Sequence, residues 1–254
     1  MKIKRIEPIA VSLPMLKPVK MSFEEVRSAN NVLVRLEING GVVGWGEAAS
    51  APTMTGETVE SMVAAVRYLA PLLEGMPADE IATVMIRADR YLYGNPAAKS
   101  TIEMALHDAL GRATGKPVYD LLGGKRRGRV PVLRLIGTGS AAGDIDDAKR
   151  KKTEGYVAFK VKVGVADPLA DAERTRQVCD VLGNGGLLIC AAILHLAAAI
   201  PAVDWGVSLT SQYLADNVLK QPLGFANGHA EVPAGPGLGI EVDEAKVRRY
   251  AREL

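Results

Sequence analysis

The stretch GGLLICAAILHLAAAIPAV, residues 185–203, decides how the fold is read. Its first part, residues 186–189, has the look of a buried strand, and residues 190–200 that of an alanine-rich helix. No turn residue separates them, although an α/β chain places a loop at such a junction. Roughly 18 apolar residues in a row would also meet the threshold for a membrane span. His195 in the middle, Pro201 near the end, the lack of a basic flank and the many weakly hydrophobic alanines favour a buried soluble segment instead.

Upstream of the junction the pattern alternates. Residues 130–136 read as a strand, 141–154 as a helix, 157–163 as a second strand, 168–182 as a second helix, and 186–189 as the start of a third strand. A βαβαβ order builds a parallel sheet. Further out, the N-terminal part is organised differently. Ile9, Val11 and Leu13 alternate, as do Val32, Val34, Leu36 and Ile38, the period-2 mark of half-buried strands. Asn39-Gly40 supplies the positive φ angles of a tight hairpin, and Val42-Val43-Gly44-Trp45-Gly46 returns as the third strand of a meander.

Val59, Met62, Val63, Val66 and Leu69 then share one helical face. A second helix spans residues 79–93, and a third opens at Ser100 with Glu103 completing a capping box. Gly115-Lys116-Pro117 breaks that helix, and Leu121-Leu122-Gly123-Gly124 closes the unit near residue 125. Strands followed by helices describe an α+β domain.

Composition narrows the function classes. With 254 residues and 48% hydrophobic side chains, the chain can bury one sizeable core or two modest ones. A net charge of +2, with Lys and Arg spread among acids, leaves no nucleic-acid-binding stripe. Cys179 and Cys190 form neither a CxxC pair nor a zinc pattern, which points to a reducing compartment. Glu7 and Pro8 interrupt what would be the apolar part of a signal peptide, so the expected location is the cytoplasm.

The sharpest chemistry lies in Val157-Ala158-Phe159-Lys160-Val161-Lys162-Val163-Gly164. On a strand Phe159, Val161 and Val163 point one way, and Lys160 and Lys162 the other, roughly 6 to 7 Å apart. Facing a barrel interior or a crevice, the two ammonium groups would be desolvated and would repel, and both effects favour the neutral amine that a general base needs. On an exposed edge strand the same lysines would only discourage aggregation. Spacing alone leaves both readings open.

A set of motifs resembles the enolase superfamily, in particular its mandelate racemase and muconate lactonizing enzyme branch. They are GWGE (44–47) with PTMTGET (52–58), ALHDALG (105–111), GKPV (115–118) with LLGG (121–124), Lys160-Val161-Lys162, and the tail PGLGIEVD (236–243). The resemblance implies an α+β capping domain over residues 1–125 and a modified TIM barrel, (β/α)7β, with a C-terminal tail returning to the cap. It implies that Lys162 removes the proton α to a substrate carboxylate, with Lys160 as its electrostatic partner. It also implies that residues 17–25 and Thr53, Met54 and Thr55 close over the substrate, a small carboxylate.

The family holds magnesium on three carboxylates at the ends of the third, fourth and fifth barrel strands, where the cation stabilises an enolate. Here Cys190-Ala191-Ala192 stands where the first of these is expected, and no Asp or Glu occurs between Asp180 and Asp204. Residues 190–200 resemble the family's late helix instead. About 130 residues follow position 125, whereas complete TIM barrels need at least about 200. The expectation is therefore an α+β cap joined to a truncated, incomplete α/β barrel lacking about a hundred internal residues. Magnesium is expected not to bind, and association into homo-oligomers is expected to cover the open sheet.

Other residues receive bland readings. His107 and His195 are structural, and His229 lies in a turn. Asp204, Asp216, Glu231, Glu241, Asp243 and Glu244 fall in surface loops and the tail, and Gly235-Pro236-Gly237-Leu238-Gly239 is a turn rather than a phosphate loop. Two functions remain open. One is a magnesium-dependent racemase, epimerase or cycloisomerase; the other is a non-catalytic, shortened relative.

Overall fold

The computed structural model describes residues 1–20, 25–138, 140–162, 167–182 and 206–254. The stretch 185–203, with the expected third strand, late helix and His195, lies outside the described residues, as do Cys190 and Asp204.

The first three strands, β1 (Ile3–Lys20), β2 (Glu25–Ile38) and β3 (Val43–Ala49), form an antiparallel meander. Alternation along them feeds two cores. Ile6, Ala10, Val32, Val34, Leu36, Ile38 and Ala48 pack against helices α2 (Val59–Leu73), α3 (Ile81–Tyr91) and α4 (Pro96–Thr114). On the opposite face Val11, Leu13, Leu33 and Trp45 meet Val218 and Val247 of the C-terminal tail. The tail is thus the second cover of the sheet, and its helix α8 (Glu244–Tyr250) lies against β1. Three details correct the sequence reading. The hairpin places its positive φ angles on Gly40 and Gly41 rather than Asn39, because the loop spans residues 39–41 between Ile38 and Val42. Residues 17–20 continue β1 and Glu25 begins β2, so they extend a hairpin. Thr53, Met54 and Thr55 form the short helix α1 (Pro52–Thr55).

Helix α4 starts at Pro96, four residues before Ser100. The expected capping box is displaced because a remote group does the capping: the buried Glu57 carboxylate accepts from the Ala97 and Ala98 N–H groups at 2.8 and 3.1 Å. A capping box does exist at α2, where Thr58 and Ser61 exchange side-chain and backbone hydrogen bonds.

The second part holds a short helix α5 (Val118–Leu121), strands β4 (Arg129–Pro131) and β5 (Leu133–Ile136), helix α6 (Ala141–Thr153), strand β6 (Ala158–Val161) and helix α7 (Pro168–Leu182). Strands β7 (Phe225–Ala226) and β8 (His229–Glu231) follow a 3-10 helix at Thr210–Tyr213. Residues 130–136 are therefore not one strand. The chain changes sheets at Val132: β4 pairs antiparallel with β8, whereas β5 pairs parallel with β6. His229 opens β8 and is not within the turn, which Asn227 and Gly228 make with positive φ angles.

On the other side of β5, Val207 forms a parallel bridge to Val132, with Val207 N–H to Pro131 O and Leu133 N–H to Val207 O both at 2.7 Å. Further along the same edge, side chains replace a strand. The Tyr213 hydroxyl accepts from Leu135 N–H at 3.2 Å, and Gln212 donates to Leu133 O at 3.4 Å. Chain from beyond the unusual junction thus lies directly against β5, and among the described residues the parallel strands form a short arc.

Candidate functional site: the lysine strand

Strand β6 is held by β5 on one edge and by helices α6 and α7 on one face. Phe159 and Val161 pack into the cluster of Ile136, Ala148 and Val178. That commits alternate residues to the other face, so Ala158, Lys160 and Lys162 point away from the helices. Ala158 is buried and sits against Gly206, where a Cβ would come within 2.4 Å of the alanine Cβ. Lys160 is exposed and Lys162 half-buried. Burial, and then the like charge of Lys160, hold the Lys162 ammonium below the usual lysine pKa.

Lys162 is one residue past the β6 ladder. Its N–H donates to Ile136 O at 2.9 Å, and its carbonyl accepts from Arg174 of α7. Its Cβ lies over Gly137, where an added Cβ would be only 3.1 Å away. Arg174 in turn pairs with the fully buried Asp144 at 2.6 Å and with Asp171 at 2.9 Å. Asp144 also accepts from the Thr138 N–H and hydroxyl at 2.6 and 2.7 Å. No sequence pattern singled out Arg174; only the fold brings it beneath Lys162.

The other predicted groups are not drawn to this strand. Thr53, Met54 and Thr55 stand exposed on α1, with Met54 77% exposed. His107 sits on α4 with its ring Nδ1 3.0 Å from Glu103 O, a local contact. Asp216 is tied to Tyr250 and Lys246, Glu241 to Lys220, and Asp243 caps α8. Among the described residues no three His, Cys, Asp or Glu side chains converge as a metal needs, and Asp144 and Asp171 are paired with Arg174. Magnesium requires an oxygen set of that kind; the described residues do not fit it. Among the described residues no helix is long and apolar enough to cross a membrane.

The motifs that carried the resemblance prove to be stitching. Buried Asp108 of ALHDALG accepts from Trp45 N–H of GWGE at 2.9 Å, from Arg112 at 3.0 Å and from Leu238 N–H of the tail at 2.8 Å. Gly44 and Gly46 let α4 lie directly on β3: a Cβ would fall 2.1 Å from Ala105 O at one and 1.9 Å from Thr101 O at the other.

Comparison with known proteins agrees with this arrangement. Residues 5–123 match the family profile described as mandelate racemase / muconate lactonizing enzyme, N-terminal domain, and residues 183–246 match the enolase C-terminal domain-like profile. A chloromuconate cycloisomerase from Pseudomonas sp. (strain P51) is 36% identical over 188 residues, which is 72% of this chain and 50% of that protein. The chain thus spans about half the length of this curated relative. Muconate cycloisomerase 1-1 of Acinetobacter lwoffii aligns at 25% identity over 366 residues, covering 99% of this chain and 97% of the relative. Since this chain has 254 residues, that alignment closes only by leaving an interior gap in it. The crystal structure of 2-chloromuconate cycloisomerase from Rhodococcus opacus 1CP superposes with a TM-score of 0.89 at 24% identity, over 100% of both chains. With the N-terminal and C-terminal domain profiles matched in order and the fold shared, the chain belongs to the mandelate racemase/muconate lactonizing enzyme family of the enolase superfamily, as a shortened member.

Proposed function

We propose that this chain carries the proton-abstracting half of a carboxylate-isomerising site and lacks its electrophilic half, so that by itself it does not turn over substrate. Lys162 is the base, which would take the proton α to the carboxylate of a small acid, and Lys160 is the neighbour that keeps it neutral more readily. The observation that carries this reading is the placement of Lys162 at the end of β6, on the face away from the helices, with its ammonium destabilised by burial and by Lys160. Abstracting such a proton leaves charge on the carboxylate oxygens that a cation must stabilise. The described residues present no oxygen set for one.

Family membership gives the isomerase class; the substrate follows from the relatives only as a class of unsaturated or substituted carboxylic acids. A second copy of the chain is the expected cover for the exposed lysine face. The test is proton exchange: a panel of carboxylic acids, cis,cis-muconate and N-acyl amino acids among them, is incubated in D2O with magnesium and the chain, and followed by NMR. The expected result is no exchange above background. Exchange that is lost in Lys162→Ala would show a complete site and overturn the proposal.

A further inference from the structure

Among the described residues asparagine is followed by glycine twice, at Asn39-Gly40 in the β2–β3 loop and at Asn227-Gly228 in the β7–β8 turn. Glycine in that place lets its backbone nitrogen approach the asparagine side-chain carbonyl carbon, because no Cβ stands in the way. The sequence makes the two pairs alike, and the fold makes them different. We propose that Asn39 is a site of spontaneous imide formation and isomerisation in the folded chain, whereas Asn227 is protected. The site is independent of Lys162.

Asn39, Gly40 and Gly41 are all exposed. A Cβ built on Gly40 or Gly41 would meet nothing within 4 Å, so the Asn39–Gly40 peptide can turn without striking a neighbour. The Gly40 N–H has no hydrogen-bond partner among the described residues, which leaves its proton open to base. The electrophile meanwhile stays in place: Asn39 Oδ1 accepts from Lys2 N–H at 2.8 Å, and Asn39 N–H donates to Lys2 O at 2.9 Å. That Lys2 N–H faces the oxygen on which negative charge gathers as the tetrahedral intermediate forms. The Gly40 nitrogen, deprotonated by hydroxide, bonds to Asn39 Cγ, and Nδ2 takes up a proton and leaves as ammonia. Water then opens the cyclic imide at either carbonyl. Opening at Cγ gives aspartate with the ordinary backbone; opening at the Asn39 backbone carbonyl gives isoaspartate, with the chain running through Cγ.

Asn227-Gly228 is clamped instead. Gly228 is buried, its carbonyl accepts from Val132 N–H at 2.8 Å, and a Cβ on Gly155 would lie 2.8 Å from both the carbonyl carbon and the oxygen of Asn227. Turning that peptide would break the bond to Val132 and press into the Gly155 backbone. At Asn39 the isoaspartyl product also bears on the fold. Loop 39–41 is closed by Ile38 N–H to Val42 O at 3.0 Å and by Gly41 N–H to Ile38 O at 3.2 Å, and an extra backbone atom disturbs both. The strand that follows this loop is β3, on which α4 lies.

The test incubates the whole chain at mildly alkaline pH, folded in buffer and unfolded in urea, and follows both asparagine peptides by mass spectrometry. Conversion shows as the mass gained when NH2 is exchanged for OH, and fragmentation separates aspartate from isoaspartate. In urea the two asparagines should convert at comparable rates. In the folded chain Asn39 should stay within a few-fold of its unfolded rate, while conversion at Asn227 is lost. Asn39 as silent as Asn227 in the folded chain overturns the proposal, and so does Asn227 keeping pace with Asn39 there, or no conversion at Asn39 even in urea. The fold consequence has its own readout. Chain aged to isoaspartate should unfold at lower urea than Asn39→Asp, which keeps the ordinary backbone and an acceptor for Lys2 N–H. Equal midpoints overturn the effect on the hairpin.

Discussion

Asp108 joins three segments through one carboxylate: β3 by Trp45 N–H, its own helix by Arg112, and the tail by Leu238 N–H. Buried and charged, it is held by those donors, and Asp108→Asn would turn an acceptor toward them as a donor. We expect that change to lower stability by about 1–3 kcal/mol, read as a lower midpoint in urea unfolding. Asp216 offers a test by acid. The Tyr250 hydroxyl first, then the Asn217 N–H and the Lys246 ammonium, hold its carboxyl down at about 2, against an ordinary 3.8. Its folded pKa is depressed, so its contribution is fully present above the ordinary value and is lost as pH falls through about 2. Thermal unfolding followed from pH 5 to pH 2 should show Tyr250→Phe losing less stability on acidification than the parent chain. At this scale the sequence showed Lys160 and Lys162 because strand spacing puts them on one face. It could not show Arg174, whose partners include Asp144 on another helix and the Lys162 carbonyl past the end of β6.

At the scale of elements, α4 lies so close on β3 that two glycines are required. Gly46→Ala would put a methyl carbon 1.9 Å from the Thr101 carbonyl oxygen of the helix backbone, which cannot give as a side chain end can. Its expected cost is about 1–3 kcal/mol or more, and an equilibrium unfolding series checks it. Glu57 is the long-range cap of the same helix, and Glu57→Gln should speed amide exchange at Ala97 and Ala98 by weakening charge-assisted bonds to the first turn. The meander and the apolar face of α2 were legible because their periods of 2 and 3.6 are local. The start of α4 was not, because its cap comes from a residue 40 positions away. The split of residues 130–136 was hidden for a related reason: a single strand-like run does not reveal that its two ends pair with different sheets. The β5 edge behaves alike. Tyr213→Phe would leave Leu135 N–H without its hydroxyl partner, and should cost about 1–3 kcal/mol if no water takes its place.

For the whole molecule, the interior gap against muconate cycloisomerase 1-1 describes a chain shorter than its full-length relative. Late chain lies beside the start of β5, with Val207 bridged to Val132. The N-terminal unit keeps its two-sided sheet because the tail that covers it is still present. The lysine strand keeps its helix-side packing for the same local reason. Among the described residues no three His, Cys, Asp or Glu side chains converge as a metal site needs. Calorimetric titration of magnesium into the folded chain, with its oligomeric state recorded in the same buffer, tests the proposed loss of the electrophilic half directly. No saturable heat is the predicted result, whether the chain is single or self-associated. Saturable, stoichiometric binding abolished by neutralising a small set of carboxylates would contradict it, and would mean that an electrophilic half-site survives beside Lys162.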